Sequence, residues 1–406
     1  MNPNLVLDDF IHEHVTRRAG SLLAADLRQH DAELRARLAG RNLLVIGGAG
    51  SIGAAYVRAA LRFPIGSLTV VDLNENGLTE LVRDLRSTAN LRLPGRFLTY
   101  PVALGDGVFE KILRRQGPFE VVANFAAHKH VRSEKDVFAI EAMIENNVFR
   151  ARGLLERLAA QPPERFFCVS TDKAANPVNV MGATKKLMEE VLLAFAGRVP
   201  AVTARFANVA FSNGSLPQGF LERLARRQPW SCPLGIRRYF VSPQEAGELC
   251  LLASVLARPG EIVYPKLDAS RDLIPFETIA RDLLAALGFE PDECASEDEA
   301  RQKAAALSPE PRRWPIHFFE SDTSGEKPDE EFVAAGERVD EGRFAALGVI
   351  VNARRRELAE VDAILGRLRA CLAAANAEKA DVVAVLREYL PNFGHIEKGR
   401  NLDQRM

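Results

Sequence analysis

Long apolar runs are missing from this chain. No window reaches roughly 18 uninterrupted apolar residues, so no membrane-crossing helix is expected. The opening stretch "MNPNLVLDDFIHEHVTRRAG" is broken by acids and histidines and has no secretory apolar core. Cysteine is sparse: Cys168, Cys232, Cys250, Cys294 and Cys371 are scattered without a CxxC pair, the pattern of reduced thiols in a cytosol. An excess of either charge is also missing. Lys+Arg number 53 against 54 Asp+Glu, spread along the chain, so a basic face for nucleic acid is not expected. No internal repeat or low-complexity tract occurs. What remains, 47% hydrophobic and 26% charged residues, predicts a cytoplasmic protein able to bury a large core.

The texture changes along the chain. Residues 1–40 place Leu22, Leu23, Leu27, Leu34 and Leu38 at helical spacings and predict a helical N-terminal extension, packed on its own domain or on a neighbouring subunit. From Asn42, short β-rich runs alternate with helical segments: "NLLVIGGAGSIGAAYVRAAL", "SLTVVDLNENGLTELVRDLR", "EVVANFAAHKHV", "ERFFCVSTDK" and "PAVTARFANVAF". Runs apolar on both faces predict a Rossmann-type doubly wound parallel sheet over residues 41–211. Residues 212–350 read as a smaller mixed α/β substrate lobe, with a return to the sheet expected at "EIVYPKL". Residues 351–406 read as a helical C-terminal extension. Helices exposed at both ends would offer interfaces for a homo-oligomer.

In "LLVIGGAGSIG", Gly47, Gly50 and Gly53 stand at a strand-to-helix junction with Ser51 and Ile52 opening the helix. Glycine permits a tight turn and close approach of a pyrophosphate to the positive helix end. Asp72 closes the next strand, where an acid accepts from ribose hydroxyls and repels a 2′-phosphate; NAD is therefore expected over NADP. Ala126 and Ala127 are expected to line the cofactor. Thr171, Asp172 and Lys173 sit where a later strand ends, and an acid beside a lysine lets each bias the other's pKa.

The segments "GGAGSIG", "AAHKHV", "STDKAANPVNVMGATKKLMEE", "RFANVAFSNGS", "RRYF" and "GEKPDEE" resemble, in this order, extended short-chain dehydrogenases of the polysaccharide-biosynthesis group, the UDP-N-acetylglucosamine 4,6-dehydratases and related epimerases. The resemblance spans roughly residues 40 to 335. It implies oxidation at C4 by NAD, which makes the C5 proton acidic, loss of water across C5 and C6, and hydride return to C6. It further implies that Asp172 protonates the departing C6 oxygen and Lys173 takes the C5 proton. Thr171 would relay the C4 proton to Asp172 or a water, and Lys185 would hold the nicotinamide ribose. Met181 stands where ordinary members carry a tyrosine and would be a spectator in proton transfer.

For the sugar nucleotide, a UDP-sugar by resemblance, the candidates are His128, Lys129, His130, Asn147, Arg205, Asn208 and Arg238; arginine suits a pyrophosphate because its planar fork donates in parallel. His128 and His130, without a partner cluster, make a poor metal set. Ala207 departs from the group's usual glycine, and Thr323 and Ser324 replace an arginine before "GEK"; both changes leave the base and sugar open. A C4 or C5 epimerase and a catalytically silent NAD-binding partner of a glycan-assembly complex are the competing expectations.

Overall fold

A computed structural model describes residues 5–320, 325, 327 and 329–397. Six strands, β1 (Asn42–Ile46), β2 (Ser67–Asp72), β3 (Arg96–Pro101), β4 (Val121–Asn124), β5 (Arg165–Val169) and β6 (Ala201–Ala204), form one parallel array. Next come β7 (Asn208–Val209), β8 (Trp230–Leu234), β9 (Arg237–Val241) and β10 (Ile262–Pro265). They are followed by β11 (Leu273–Pro275), β12 (Glu290–Glu293), β13 (Arg313–Glu320), β14 (Val339–Asp340) and β15 (Leu347–Ile350). The main sheet runs β14-β15-β10-β6-β5-β4-β1-β2-β3. Strand order reverses between β1 and β4, which opens a crevice at their carboxyl ends, the usual ligand position of such sheets.

The sheet is parallel through β10, but β15 and β14 pair antiparallel at its edge. The expected doubly wound parallel sheet is thus present, with an antiparallel edge added where the link between β14 and β15 is too short for a crossover and can only make a hairpin. Strand β3 gave no sequence signal because it lies at the other edge, half-buried and without apolar alternation.

Alternation within β1 explains both layers. Leu43 and Val45 enter one core with the helices Ser51–Ala60 and Pro243–Leu256; Leu44 and Ile46 enter the other with Arg150–Leu158 and Val180–Phe195. Each such buried side chain contributes roughly 1.5–3 kcal/mol of transfer free energy. The helices Ser51–Ala60 and Pro243–Leu256 touch backbone to backbone: a Cβ added at Gly247 would lie 2.2 Å from the Ala55 carbonyl oxygen. Gly247→Val should therefore lower stability by about 1–3 kcal/mol or more, read from a urea unfolding midpoint; an unchanged midpoint would contradict this packing.

The described parts of both terminal segments are built into the body of the protein. Phe10, Ile11 and Val15 fill the lobe's core beside Phe220, which stacks on Trp230. Leu23, Leu27, Leu34 and Leu38 join the main core, and Arg18 pairs with the buried Glu245 at 2.8 Å. The helices Leu358–Leu372 and Lys379–Tyr389 turn Val361, Leu365, Leu368, Val382 and Leu386 into the core shared with Leu187, Met188 and Val191. The expected exposed interface helices are corrected accordingly: their apolar stripes are consumed within the chain.

Candidate active site

The glycine loop is shaped by three different demands. Gly47 has φ +76°, and a Cβ there would stand 2.5 Å from the Ala126 nitrogen. Gly53 lies so close to Gly47 that a Cβ would meet its carbonyl oxygen at 2.3 Å. Gly50, at the start of the helix Ser51–Ala60, would meet only the Gly47 oxygen at 3.5 Å, leaving open space outside the turn. One glycine makes the bend, one lets helix and strand close up, and one leaves the helix end bare for a ligand. Ser51 is tied to the far side of the crevice by accepting from the Asn213 N–H at 2.9 Å. Ile52 packs, half-buried, against the core beneath.

Asp72 braces this loop, accepting from the Ala49 N–H and the Asn74 N–H at 2.9 Å each. A carboxylate has further acceptor capacity for ribose hydroxyls. Around it lies a cavity of about 270 Å³ lined by Gly47, Gly50, Asp72, Ala126, Ala127 and His128. Asn146 and Arg150 also line it; they flank Asn147 on one helical stretch, and the sequence reading named only that neighbour. His128, expected at the substrate, thus lines the cofactor crevice. Burial and the Arg150 charge push its imidazole pKa below the usual range.

Asn147 also departs from expectation. Its Oδ1 accepts from the His128 N–H at 2.8 Å, while its Nδ2 donates to the His128 carbonyl at 2.9 Å and to Thr184 Oγ1 at 3.2 Å. It is a buried clamp on one π-helical turn, Glu145–Phe149, and its amide is spent on holding the β4 loop. Lys129 donates weakly to Ser212 Oγ at 3.5 Å, with burial lowering its pKa. The His130 ring packs on Gly214. Asn208 lies half-buried on β7 opposite Phe240.

At the end of β5 the chain turns through Asp172–Ala174 before the helix Val180–Phe195. Asp172 is buried. Its Oδ1 accepts from Thr171 Oγ1 at 2.8 Å, from the Lys173 N–H at 2.9 Å and from Lys173 Nζ at 3.1 Å. Its Oδ2 is equally buried and has no hydrogen-bond partner among the described residues. Lys173 Nζ lies 3.5 Å from Glu330 Oε1. Burial alone would lower the lysine's pKa, but Asp172 and Glu330 outweigh it and hold the ammonium above its usual range.

The helix start is tailored to this turn. Asn179 caps it by accepting from the Gly182 N–H at 2.7 Å and donates to the Gly325 carbonyl at 2.8 Å. A Cβ at Gly182 would stand 2.6 Å from the Lys173 carbonyl oxygen. Met181, in the same turn, is buried, and its thioether offers no titrating proton. Lys185 Nζ donates to the Val169 carbonyl at 2.9 Å; burial lowers its pKa.

Arg205 is not a phosphate ligand. Its five N–H groups are consumed inside the protein: Nε and Nη2 donate to Glu189, Nη1 and Nη2 to Glu337, and Nη1 to the Phe332 carbonyl, all within 2.7–2.9 Å. Arg238 is buried too, its Nη1 donating to the carbonyls of Arg237 and Lys327 at 2.8 and 2.9 Å, which brings its charge near Lys173. Thr323 and Ser324 lie outside the described residues. Among the described residues no cluster could hold a metal and no helix is long and apolar enough to cross a membrane.

The C-terminal segment packs on the loop that precedes the helix Val180–Phe195. Gly394 N–H donates to the Pro177 carbonyl and Ile396 N–H to the Val178 carbonyl, both at 3.0 Å, and Gly325 N–H donates to the Ile396 carbonyl at 2.9 Å.

Known proteins place this architecture. A protein of Methanocaldococcus jannaschii described as uncharacterized membrane protein MJ1061 is 33% identical over 62% of this chain and 74% of its own length. The capsular polysaccharide biosynthesis protein CapD of Staphylococcus aureus is 31% identical over 59% of this chain, a segment covering only 40% of CapD. UDP-glucose 4-epimerase of Rickettsia typhi is 27% identical over 57% of this chain and 67% of its own. In fold, the chain is similar to Pen from Bacillus thuringiensis (TM-score 0.62, 18% identity, 81% of this chain and 98% of that one). It is also similar to a dTDP-glucose 4,6-dehydratase from Bacillus anthracis solved with NAD (TM-score 0.53, 16% identity, 72% and 88%). Residues 43–309 match the family described as polysaccharide biosynthesis protein, and the chain belongs to that family.

Proposed function

We propose that this protein is an NAD-dependent nucleotide-sugar 4,6-dehydratase, a lyase acting on a UDP-sugar, with UDP-N-acetylglucosamine the first substrate to try. The observation that carries the reading is the bare Asp172 Oδ2, buried beside Lys173 and free of protein donors among the described residues. A buried carboxylate oxygen without a partner is costly, and a substrate hydroxyl is a natural partner for it.

The dinucleotide fits the residues: Gly50 leaves the helix end bare, and Asp72, Ala126 and Ala127 line the cavity. Bound NAD supplies a hydride acceptor for C4 and a donor for C6. The protein's own part is proton traffic. Thr171, hydrogen-bonded to Asp172, can pass on the C4 hydroxyl proton; Lys173, once neutral, takes the C5 proton; Asp172, once protonated, gives its proton to the leaving C6 oxygen. Lys185 presents a positive charge at the end of β5. Met181 takes no proton, so these duties rest on the turn before it.

Incubation of the purified protein with UDP- and GDP-sugars, followed by mass spectrometry, tests the reading: loss of one water from a UDP-N-acetylhexosamine is expected. Epimerisation is the second reading, favoured by the similarity to the epimerase above; a product that keeps its 6-hydroxyl would select it. Gly50→Ala offers an independent check on the cofactor. The added methyl fits the folded turn, so the thermal midpoint should hold while NAD affinity, measured by calorimetry, drops roughly tenfold or more, about 1.4 kcal/mol.

A further inference from the structure

The dehydration scheme contains a tension. Lys173 must be neutral to take a proton, yet it sits between two carboxylates that hold it charged. Glu330 is the second of these, almost fully buried, and its Oε2, like Asp172 Oδ2, has no hydrogen-bond partner among the described residues. The charges around it are Lys173 and Asp172 from the β5 turn, Arg238 from β9 and Lys327 on its own loop, whose Nζ is 3.9 Å from Oε2. Two buried carboxylates thus share one close lysine. Like charges so placed favour retention of a proton by one of them.

We propose that Glu330 is the positioning residue that sets the proton on the Asp172–Lys173 pair: as a neutral acid it leaves Lys173 one charged partner, so the lysine proton can cross the 3.1 Å bond to Asp172. The crossing converts ammonium and carboxylate into amine and carboxylic acid. The amine then takes the C5 proton while the acid gives its proton to the C6 oxygen, which leaves as water. Ammonium and carboxylate are restored, so the elimination consumes no external proton. Glu330, once ionised, would pin Lys173 as ammonium and stop the cycle. Burial and Asp172 push the Glu330 pKa upward, against the pull of Lys173, which places this ionisation above the ordinary carboxylate range.

The proposal rests on the dehydratase reading, and two measurements separate their failures. The first measurement is the pH profile of turnover in wild type and in Glu330→Gln. In the variant, the alkaline fall of about tenfold per pH unit should be lost or moved to higher pH. Lys173 Nζ, followed by NMR in ¹⁵N-lysine-labelled protein and assigned by its absence in Lys173→Met, should titrate at lower pH in Glu330→Gln than in wild type. An unmoved lysine titration, or an unmoved alkaline limb, overturns the proposal. If wild type eliminates no water while the lysine titration moves as expected, the dehydratase reading falls and the Glu330–Lys173 coupling stands. Should Glu330→Gln not fold, Lys327→Met serves instead: losing that positive charge should carry the alkaline limb to higher pH, and a limb that stays or moves down overturns the proposal.

Discussion

Asp172→Asn and Lys173→Met should each lower the rate of water loss by roughly 10²–10⁴-fold, the range for removing a positioned acid or base. Neither should change NAD affinity more than about threefold, because the glycine loop and Asp72 stand apart from the β5 turn. The two variants should also differ in kind. Asp172→Asn removes the negative charge that holds Lys173 as ammonium, so its lysine can give up its proton to solvent instead; unable to deliver a proton to C6, this variant should still retain exchange of solvent deuterium into C5. Lys173→Met should lose that exchange with the rest. Normal turnover in both variants would remove the proposed chemistry from this turn. Met181→Tyr, which touches neither group's protons, should have a smaller effect than either.

The second large effect concerns Arg205. Arg205→Met should destabilise the fold by about 3–5 kcal/mol, since it strands Glu189 and Glu337 without their buried partner. Burial alone would raise the Glu189 carboxyl, but Arg205, Lys186 and the Ser170 hydroxyl bring it down to about 2. The sign follows from linkage. A folded pKa below the unfolded one contributes stability that is fully present above the unfolded value, near pH 4.5, and fades as pH falls towards 2. Acid unfolding of the wild type should therefore draw on this group between about pH 4.5 and 2, and Arg205→Met should lose that component. Urea midpoints measured across that interval check both statements; a midpoint in Arg205→Met equal to wild type would overturn them.

Arg205 also shows where sequence reading stops. A lone arginine after a strand reads as a phosphate fork, and only the fold reveals that Glu189, on the helix Val180–Phe195, Glu337, far along the chain, and the Phe332 carbonyl take all of it. The glycine turn and Asp72 were legible because their partners lie within one strand-helix-strand unit, where spacing alone sets distance. The Thr171–Asp172–Lys173 group was legible for the same reason. Glu330 was not: it stands in the quoted "GEKPDEE", but nothing local says that this acid, rather than Asp329 or Glu331, turns inward to Lys173. Asn147 misled in the opposite direction, since a buried polar clamp and a substrate ligand call for the same side chain.

The backbone bonds from Gly394 and Ile396 to Pro177, Val178 and Gly325 carry a consequence for the order in which the protein comes into being. During synthesis the chain emerges from its N-terminal end, so the glycine loop and its first strands can meet early, through contacts near in sequence. The bonds to Pro177 and Val178, in the loop that follows Lys173, wait for a segment made after both the lobe and the last helix pair. Completion of the glycine turn and bracing of the loop after Lys173 are thus separated in time on the ribosome. A chain interrupted after Tyr389 would possess the first and lack the second.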